Sequence, residues 1–263
     1  MANYITNNNP IIAYGELVLD VDQIVESIIY ANNALVTLDR ESKKFDIDIF
    51  EALGMRNLSG LIGEFFAKSV QRHSNSKLVS NLHQDGYPDL LLVNTPDKKK
   101  YFDTLYTVKN NKKIPLEKEA FSPFKYGGIE VKATCGSTPS TKRKFGIGEQ
   151  RISLVNGFDW KAHHRQTNNL LSIFWDFLDG VPAVVACFYR NDLTEDDWGK
   201  IVQPREGGGR TTSVSIMTSA GVHKMCQGWV AVLDDDEYLT KFSAPKWIGY
   251  NVKSKIKQSH IPF

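Results

Sequence analysis

Cysteine is scarce in this chain: only Cys135, Cys187 and Cys226 occur, an odd number with no paired spacing. That excludes a disulfide framework and a cysteine-ligated zinc site, and reduced thiols in a cytosol fit best. Long apolar runs are missing as well. No stretch reaches the roughly 18 residues that a membrane-spanning helix needs, and the N-terminus lacks a basic start followed by an apolar segment. The expectation is a soluble, unsecreted, cytoplasmic protein with no membrane partner. Charge of one sign does not dominate either: 32 basic against 30 acidic residues leave a net charge of +2. The chain thus lacks the strongly basic signature of many nucleic-acid binders, and any polyanion contact must come from local clusters. Glycine-rich phosphate loops, nucleophile elbows, internal repeats and low-complexity tracts are absent.

What remains is an ordinary globular composition, 41% hydrophobic and 24% charged over 263 residues. A chain of this size suits one large domain. Ile24, Ile28, Ile29, Ala31 and Leu35 recur at helical spacing between Leu19 and Leu38, behind Asp20 and Asp22 as caps. A second helix is expected from about Asn57, with Leu58, Leu61, Ile62, Phe65, Phe66 and Val70 on one side. Its other side carries Gly60, Gly63, Glu64 and Ala67, where small residues let another backbone or a ligand approach. Read blandly, Glu64 is a solvated helix charge.

Leu90 to Val93 is a continuous apolar run between Pro88 and Asn94-Thr95-Pro96, which predicts a strand buried on both faces. Pro96-Asp97 reads as a turn. Tyr101 to Val108 and Lys112 to Leu116, joined at Asn110-Asn111, predict a hairpin. Residues 95–127 hold eight lysines against four acids, a locally basic insertion. Ile129 to Thr134 is the next predicted strand, set off by Gly127-Gly128 and Gly136. Leu170, Leu171, Ile173, Phe174, Phe177 and Leu178 predict an amphipathic helix stopping at Gly180, and Ala183 to Tyr189 a core strand. The expected architecture is α/β: a central mixed β-sheet flanked by helices, in the order αβββαβ, with strand-rich decoration after it. Along the single domain this gives an N-terminal helical region over 1–56, a core over 57–190 with the insertion 95–127, and a C-terminal part over 191–263 for DNA recognition or dimerisation.

Asp89, at the start of one predicted strand, and Glu130, on another, are carboxylates that can converge on one hard divalent cation. Lys132, two residues after Glu130, projects from the same strand face. Its ammonium can orient a water or meet the negative charge that develops at phosphorus. Acid-x-lysine triplets also occur at Glu41-Ser42-Lys43, Asp97-Lys98-Lys99 and Asp159-Trp160-Lys161. Only Glu130-Val131-Lys132 lies in an apolar, β-branched run. The bland alternative for that triplet is a same-face ion pair on a half-exposed strand.

With Pro88-Asp89 and Glu130-Val131-Lys132 at the motif positions, and Glu64 in Gly63-Glu64-Phe65-Phe66 on the preceding helix, the chain resembles the PD-(D/E)XK nuclease superfamily over residues 57–190. Within it the chain is most similar to type II restriction endonucleases. The resemblance implies a restriction-endonuclease-like core with Asp89, Glu130, Lys132 and Glu64 as catalytic residues. It implies Mg²⁺ as cofactor, with Asp89, Glu130 and Val131 as the metal-binding positions. It implies site-specific hydrolysis of double-stranded DNA leaving 5′-phosphates, a homodimer on a palindrome, and a cognate DNA methyltransferase in the same system. A repair, mismatch-nicking or junction-resolving nuclease keeps the same chemistry. A non-catalytic DNA-binding module is the alternative from another class, but clustered carboxylates repel phosphate unless a cation intervenes.

DNA contacts are expected from two segments near the site. Lys142, Arg143 and Lys144 form a basic loop after the Glu130 strand. Lys161, His164, Arg165, Gln166 and Asn168 concentrate base-reading side chains at an expected helix start. Arg210, beside Gly207-Gly208-Gly209, is a weaker candidate, and the tail lysines Lys253, Lys255 and Lys257 suit a solvated edge or phosphates. For each of these residues a solvated surface group is the bland alternative.

Overall fold

The computed structural model describes residues 3–83, 86–117, 127–139, 145–163, 165–204, 213–249 and 252, with Arg56 described by its backbone. Its centre is a mixed sheet of seven strands. In sheet order these are β1 (Tyr4–Thr6), β13 (Trp229–Leu233), β11 (Val181–Arg190), β10 (Leu170–Leu178), β8 (Gly128–Thr134), β5 (Leu90–Leu92) and β4 (Leu78–Ser80). Three small two-stranded ribbons stand outside it: β2 (Ile11–Ala13) with β3 (Glu16–Leu19), β6 (Tyr106–Lys109) with β7 (Lys112–Pro115), and β9 (Lys161–Ala162) with β12 (Ser215–Ile216). All neighbours in the main sheet run antiparallel except β8 and β10, which are parallel with Glu130 opposite Leu170 and Lys132 opposite Ser172. The α/β architecture with a mixed central sheet is therefore as expected.

Two helices cover one face. α1 (Val21–Lys43) starts at Asp20, whose carboxylate accepts from the Gln23 backbone while the Gln23 side chain reaches back, a reciprocal cap. α2 (Ile49–His73) starts at Asp48 and is broken at Gly54, where φ is 67°. A positive φ suits glycine, and the regular helix after the break explains why periodicity alone places the start near Asn57. Ile24, Ile28, Leu35, Leu58, Ile62 and Phe66 are fully buried and pack against Leu90, Ile129 and Leu171 of the sheet. The opposite face is covered by Ile152, Phe158, Trp160 and Trp247 together with α4 (Ser219–Gln227) and α5 (Asp236–Phe242). No helix among the described residues is long and apolar enough to cross a membrane.

Several expectations are corrected. Residues 170–178 form strand β10, not a helix, so the order αβββαβ is not what these residues adopt. The run is apolar on both sides because the strand is buried on both faces. Asp179 and Gly180, with φ of 51° and 82°, close a two-residue hairpin into β11, so Gly180 is a hairpin residue and not a helix stop. Pro96-Asp97 opens a short helix, α3 (Pro96–Asp103), with Thr95 as its cap, so Tyr101 belongs to that helix and the hairpin begins at Tyr106. The described residues of 161–169 start no helix. The part expected as N-terminal helical region also holds β1, and the part expected as C-terminal decoration holds two helices and β13, both strands being integral to the main sheet.

Candidate active site

Asp89 stands immediately before β5, where a tight approach between two strands fixes it. A Cβ built on Gly128 meets the Leu90 carbonyl oxygen at 2.2 Å and Pro88 Cγ at 2.3 Å. Only glycine lets the Pro88-Asp89 corner lie this close to β8. The corner is held from the other side by β4's continuation: Asn81 N–H donates to the Asp89 carbonyl at 2.8 Å, and its side-chain amide to the Pro88 carbonyl at 3.1 Å. The Asp89 carboxylate then accepts from the Val131 backbone N–H at 2.7 Å, which ties the two acidic strands together. The described part of the insertion, residues 95–117, adds no strand to the main sheet, and β5 and β8 pair directly, Leu90 opposite Ile129.

Alternation along β8 places Glu130 and Lys132 on one face. Lys132 Nζ donates to Glu130 Oε1 at 2.5 Å and lies 3.7 Å from Asp89 Oδ2. One ammonium thus sits between two carboxylates. The Glu130 side chain is only 2% exposed, against 21% for Lys132 and 36% for Asp89. Its second oxygen, Oε2, is buried with no hydrogen-bond partner. Burial pushes the Glu130 carboxyl up to about 7, with the Asp89 charge acting in the same direction and Lys132 opposing it. For Lys132, burial works against the charge, but the carboxylates of Glu130 and Asp89 outweigh it and hold the ammonium protonated above the usual lysine range.

Asp89 and Lys132 open onto a cleft of about 470 Å³ between α2 and the ends of β4, β5 and β8, with Glu130 buried behind them. Asp89, Val131 and Lys132 line it from the sheet, Gly60, Gly63 and Glu64 from the helix. α2 faces β8 here at Gly63, where a Cβ would stand at an ordinary contact distance of 3.6 Å from that of Ala133. Glu64 is exposed in this cleft and makes no ion pair among the described residues, so it shares the cleft with Asp89 and Lys132 without touching them. No group of three or more His, Cys, Asp or Glu side chains forms a metal cage among the described residues. What the site offers a cation is the Asp89 and Glu130 carboxylates and the Val131 backbone beside them.

The other acid-x-lysine triplets fall in different settings. Glu41 and Lys43 lie on α1 and Asp97 and Lys99 on α3. Asp159 and Lys161 form an ion pair at 3.4 Å, but with side chains 39% and 52% exposed.

Of the expected DNA contacts, Lys161 is therefore paired with Asp159, and the Arg165 guanidinium is engaged by Glu195, at 2.6 Å to its carbonyl and 3.6 Å to its carboxylate. Gln166 and Asn168 are exposed in the segment leading into β10. Lys142, Arg143, Lys144, His164, Arg210 and the tail lysines lie outside the described residues. The cleft also holds residues that the sequence reading passed over: Lys68, whose Nζ donates to Ser80 Oγ at 2.7 Å, with Asn81 and His83. Lys68 was legible, since it follows Glu64 by four positions on the same helix face. Nothing in the sequence marks Asn81 or His83. No family model, no curated protein and no solved structure matches the chain.

Proposed function

We propose that the protein is a divalent-metal-dependent endonuclease that hydrolyses phosphodiester bonds of double-stranded DNA, with Asp89, Glu130 and Lys132 as its catalytic set. The observation that carries this reading is the buried, half-satisfied Glu130 carboxylate facing Asp89 across one ammonium. A partly unpaired buried charge costs several kcal/mol, so a structural ion pair gains little from such a place. A hard cation gains much, because Mg²⁺ prefers oxygen ligands and is commonly held by one or two carboxylates, with waters and phosphate oxygens completing its shell. Two carboxylates without a full protein cage fit that habit.

In this reading Asp89, Glu130 and the Val131 carbonyl hold the ion. When bound, such an ion lowers the pKa of a water and polarises the phosphate. Asp89 is kept in place by the Val131 N–H and by Asn81 behind it. Lys132, held charged by its two neighbours, faces the negative charge that grows on the non-bridging oxygens. Glu64 lines the same cleft and would support a water or a second ion. The glycines and Ala67 of α2 leave room for the strand being cut.

The finer assignment, a type II restriction enzyme acting as a homodimer on a palindrome beside a cognate methyltransferase, rests on the resemblance at Pro88-Asp89 and Glu130-Val131-Lys132. The second core helix of that family is not found at 170–178. The test is incubation of supercoiled plasmid with the protein, with and without Mg²⁺, followed by sequencing of the ends. Discrete fragments with 5′-phosphates at one short sequence, only with metal, are expected. Nicks at mismatches or junctions transfer the same chemistry to repair, and cleavage that ignores chelation removes the metal reading.

A further inference from the structure

The described part of the insertion between the two acidic strands carries a ribbon that packing among the described residues does not explain. Among the described residues β6 and β7 pair only with each other, and every residue from 107 to 114 is exposed. Val108 is 72% exposed although its neighbours pair as a strand. A lone two-stranded hairpin is marginal in water. This one is anchored at its root, where Phe102 and Leu105 are buried against Leu91 of β5 and Leu116 N–H donates to the Leu105 carbonyl at 2.8 Å. The Tyr106 hydroxyl bonds the Leu82 backbone, and the next residue, His83, lines the cleft. The ribbon therefore springs from the lip of the candidate active site.

Its chemistry is one-sided. Residues 104–116 contain three lysines and no acid. Lys113 is spent on Asp103 at 3.1 Å, whereas Lys109 and Lys112, on either side of the turn, have no ion pair among the described residues. Between them Asn110 and Asn111, with φ of 52° and 59°, make the two-residue turn. A two-stranded ribbon fits the roughly 12 Å wide major groove, and asparagine can pair with adenine there.

We propose that the β6–β7 ribbon is the arm that enters the major groove of the DNA being cut, with Lys109 and Lys112 on the flanking phosphates and Asn110-Asn111 at the base edges. This rests on the nuclease reading of the cleft. The test is fluorescence anisotropy on duplexes of roughly 20 base pairs, two helical turns, in Ca²⁺ over a salt series, using the wild type and a Lys109→Ala/Lys112→Ala protein. These lysines are exposed and make no ion pair among the described residues, so the fold is expected to stay intact. The double variant is expected to bind at least about tenfold more weakly, with the slope of log affinity against log salt reduced by about two, one per lost phosphate contact. Asn110→Gly with Asn111→Gly, which keeps the turn because glycine accepts positive φ, is expected to weaken binding to the preferred sequence alone. Unchanged affinity and slope in the lysine variant, or equal binding of single strands by the wild type, overturns the arm. A wild type that cuts plasmid while the lysine variant binds normally removes the arm and leaves the nuclease reading. Ribbon-dependent binding without any cleavage in Mg²⁺ does the reverse.

Discussion

Glu130 and Asp159 begin the same kind of triplet and pair with the lysine two residues on, yet only one of them is buried. For Asp159 the pair is exposed, and an exposed pair is worth about 0–1 kcal/mol. Glu130 has been taken out of water with one oxygen left unpartnered, so its ordinary value of 4.5 rises to about 7. The sign follows directly. A carboxyl whose folded pKa lies above its unfolded one favours the fold when protonated, so the metal-free protein loses this contribution as pH climbs from about 4.5 through about 7. Melting temperatures of metal-free protein should therefore fall across that window relative to Glu130→Gln, which cannot titrate there. At the proposed metal site, Mg²⁺ would have to expel the same proton. Calorimetric titration at pH 6 in buffers of different ionisation enthalpy should show about one proton released by the wild type and none by Glu130→Gln; equal release from both removes Glu130 from the metal site.

At the scale of elements, the strands carrying Asp89, Glu130 and Lys132 were legible because short apolar runs bounded by Pro88, Gly127-Gly128 and Gly136 leave few alternatives. Strand β10 was not. Its apolar residues fall at positions that a helix face and a doubly buried strand share, and a short continuous run cannot be resolved by periodicity. The deciding signal was Asp179-Gly180, a hairpin dipeptide that also resembles a helix stop. Gly128 shows how strongly an element junction controls the site. Gly128→Ala drives a Cβ into the Leu90 carbonyl and Pro88, an overpacking that costs typically 1–3 kcal/mol, and it moves Asp89 away from Val131. A cleavage rate down at least about tenfold in a protein that still folds is expected from a single-turnover assay. Gly63→Ala, which meets Ala133 at an ordinary 3.6 Å, should keep wild-type stability in the same melting series. Equal cleavage by Gly128→Ala and wild type means the corner does not position Asp89.

For the whole molecule, β1 near the start of the described residues joins the C-terminal part in one sheet, β1 pairing with β13 and β13 with β11. β1 was not visible in the sequence, because a three-residue strand has too few positions to show a pattern and takes its conformation from what it pairs with, whereas β13 falls in the C-terminal part where further strands were expected. The Phe158 ring lies 5.0 Å from Phe174 and 4.6 Å from Trp247, joining the segment after the Glu130 strand to the C-terminal part. One cooperative unfolding transition in urea is the expected outcome, with Phe158→Ala lowering stability by about 3–5 kcal/mol without splitting it. Two separated transitions in the wild type contradict a single cooperative unit. The central claim is that this unit builds a metal-dependent phosphodiesterase site from Asp89, Glu130 and Lys132. Cleavage and binding of one labelled duplex in Mg²⁺ by the wild type, Asp89→Ala and Lys132→Ala test it most directly. The account predicts that both variants lose cleavage by at least about a thousandfold, the scale of about 4 kcal/mol of transition-state stabilisation, while their DNA affinity stays within a few-fold of wild type. Cutting by both variants at the wild-type rate would contradict it.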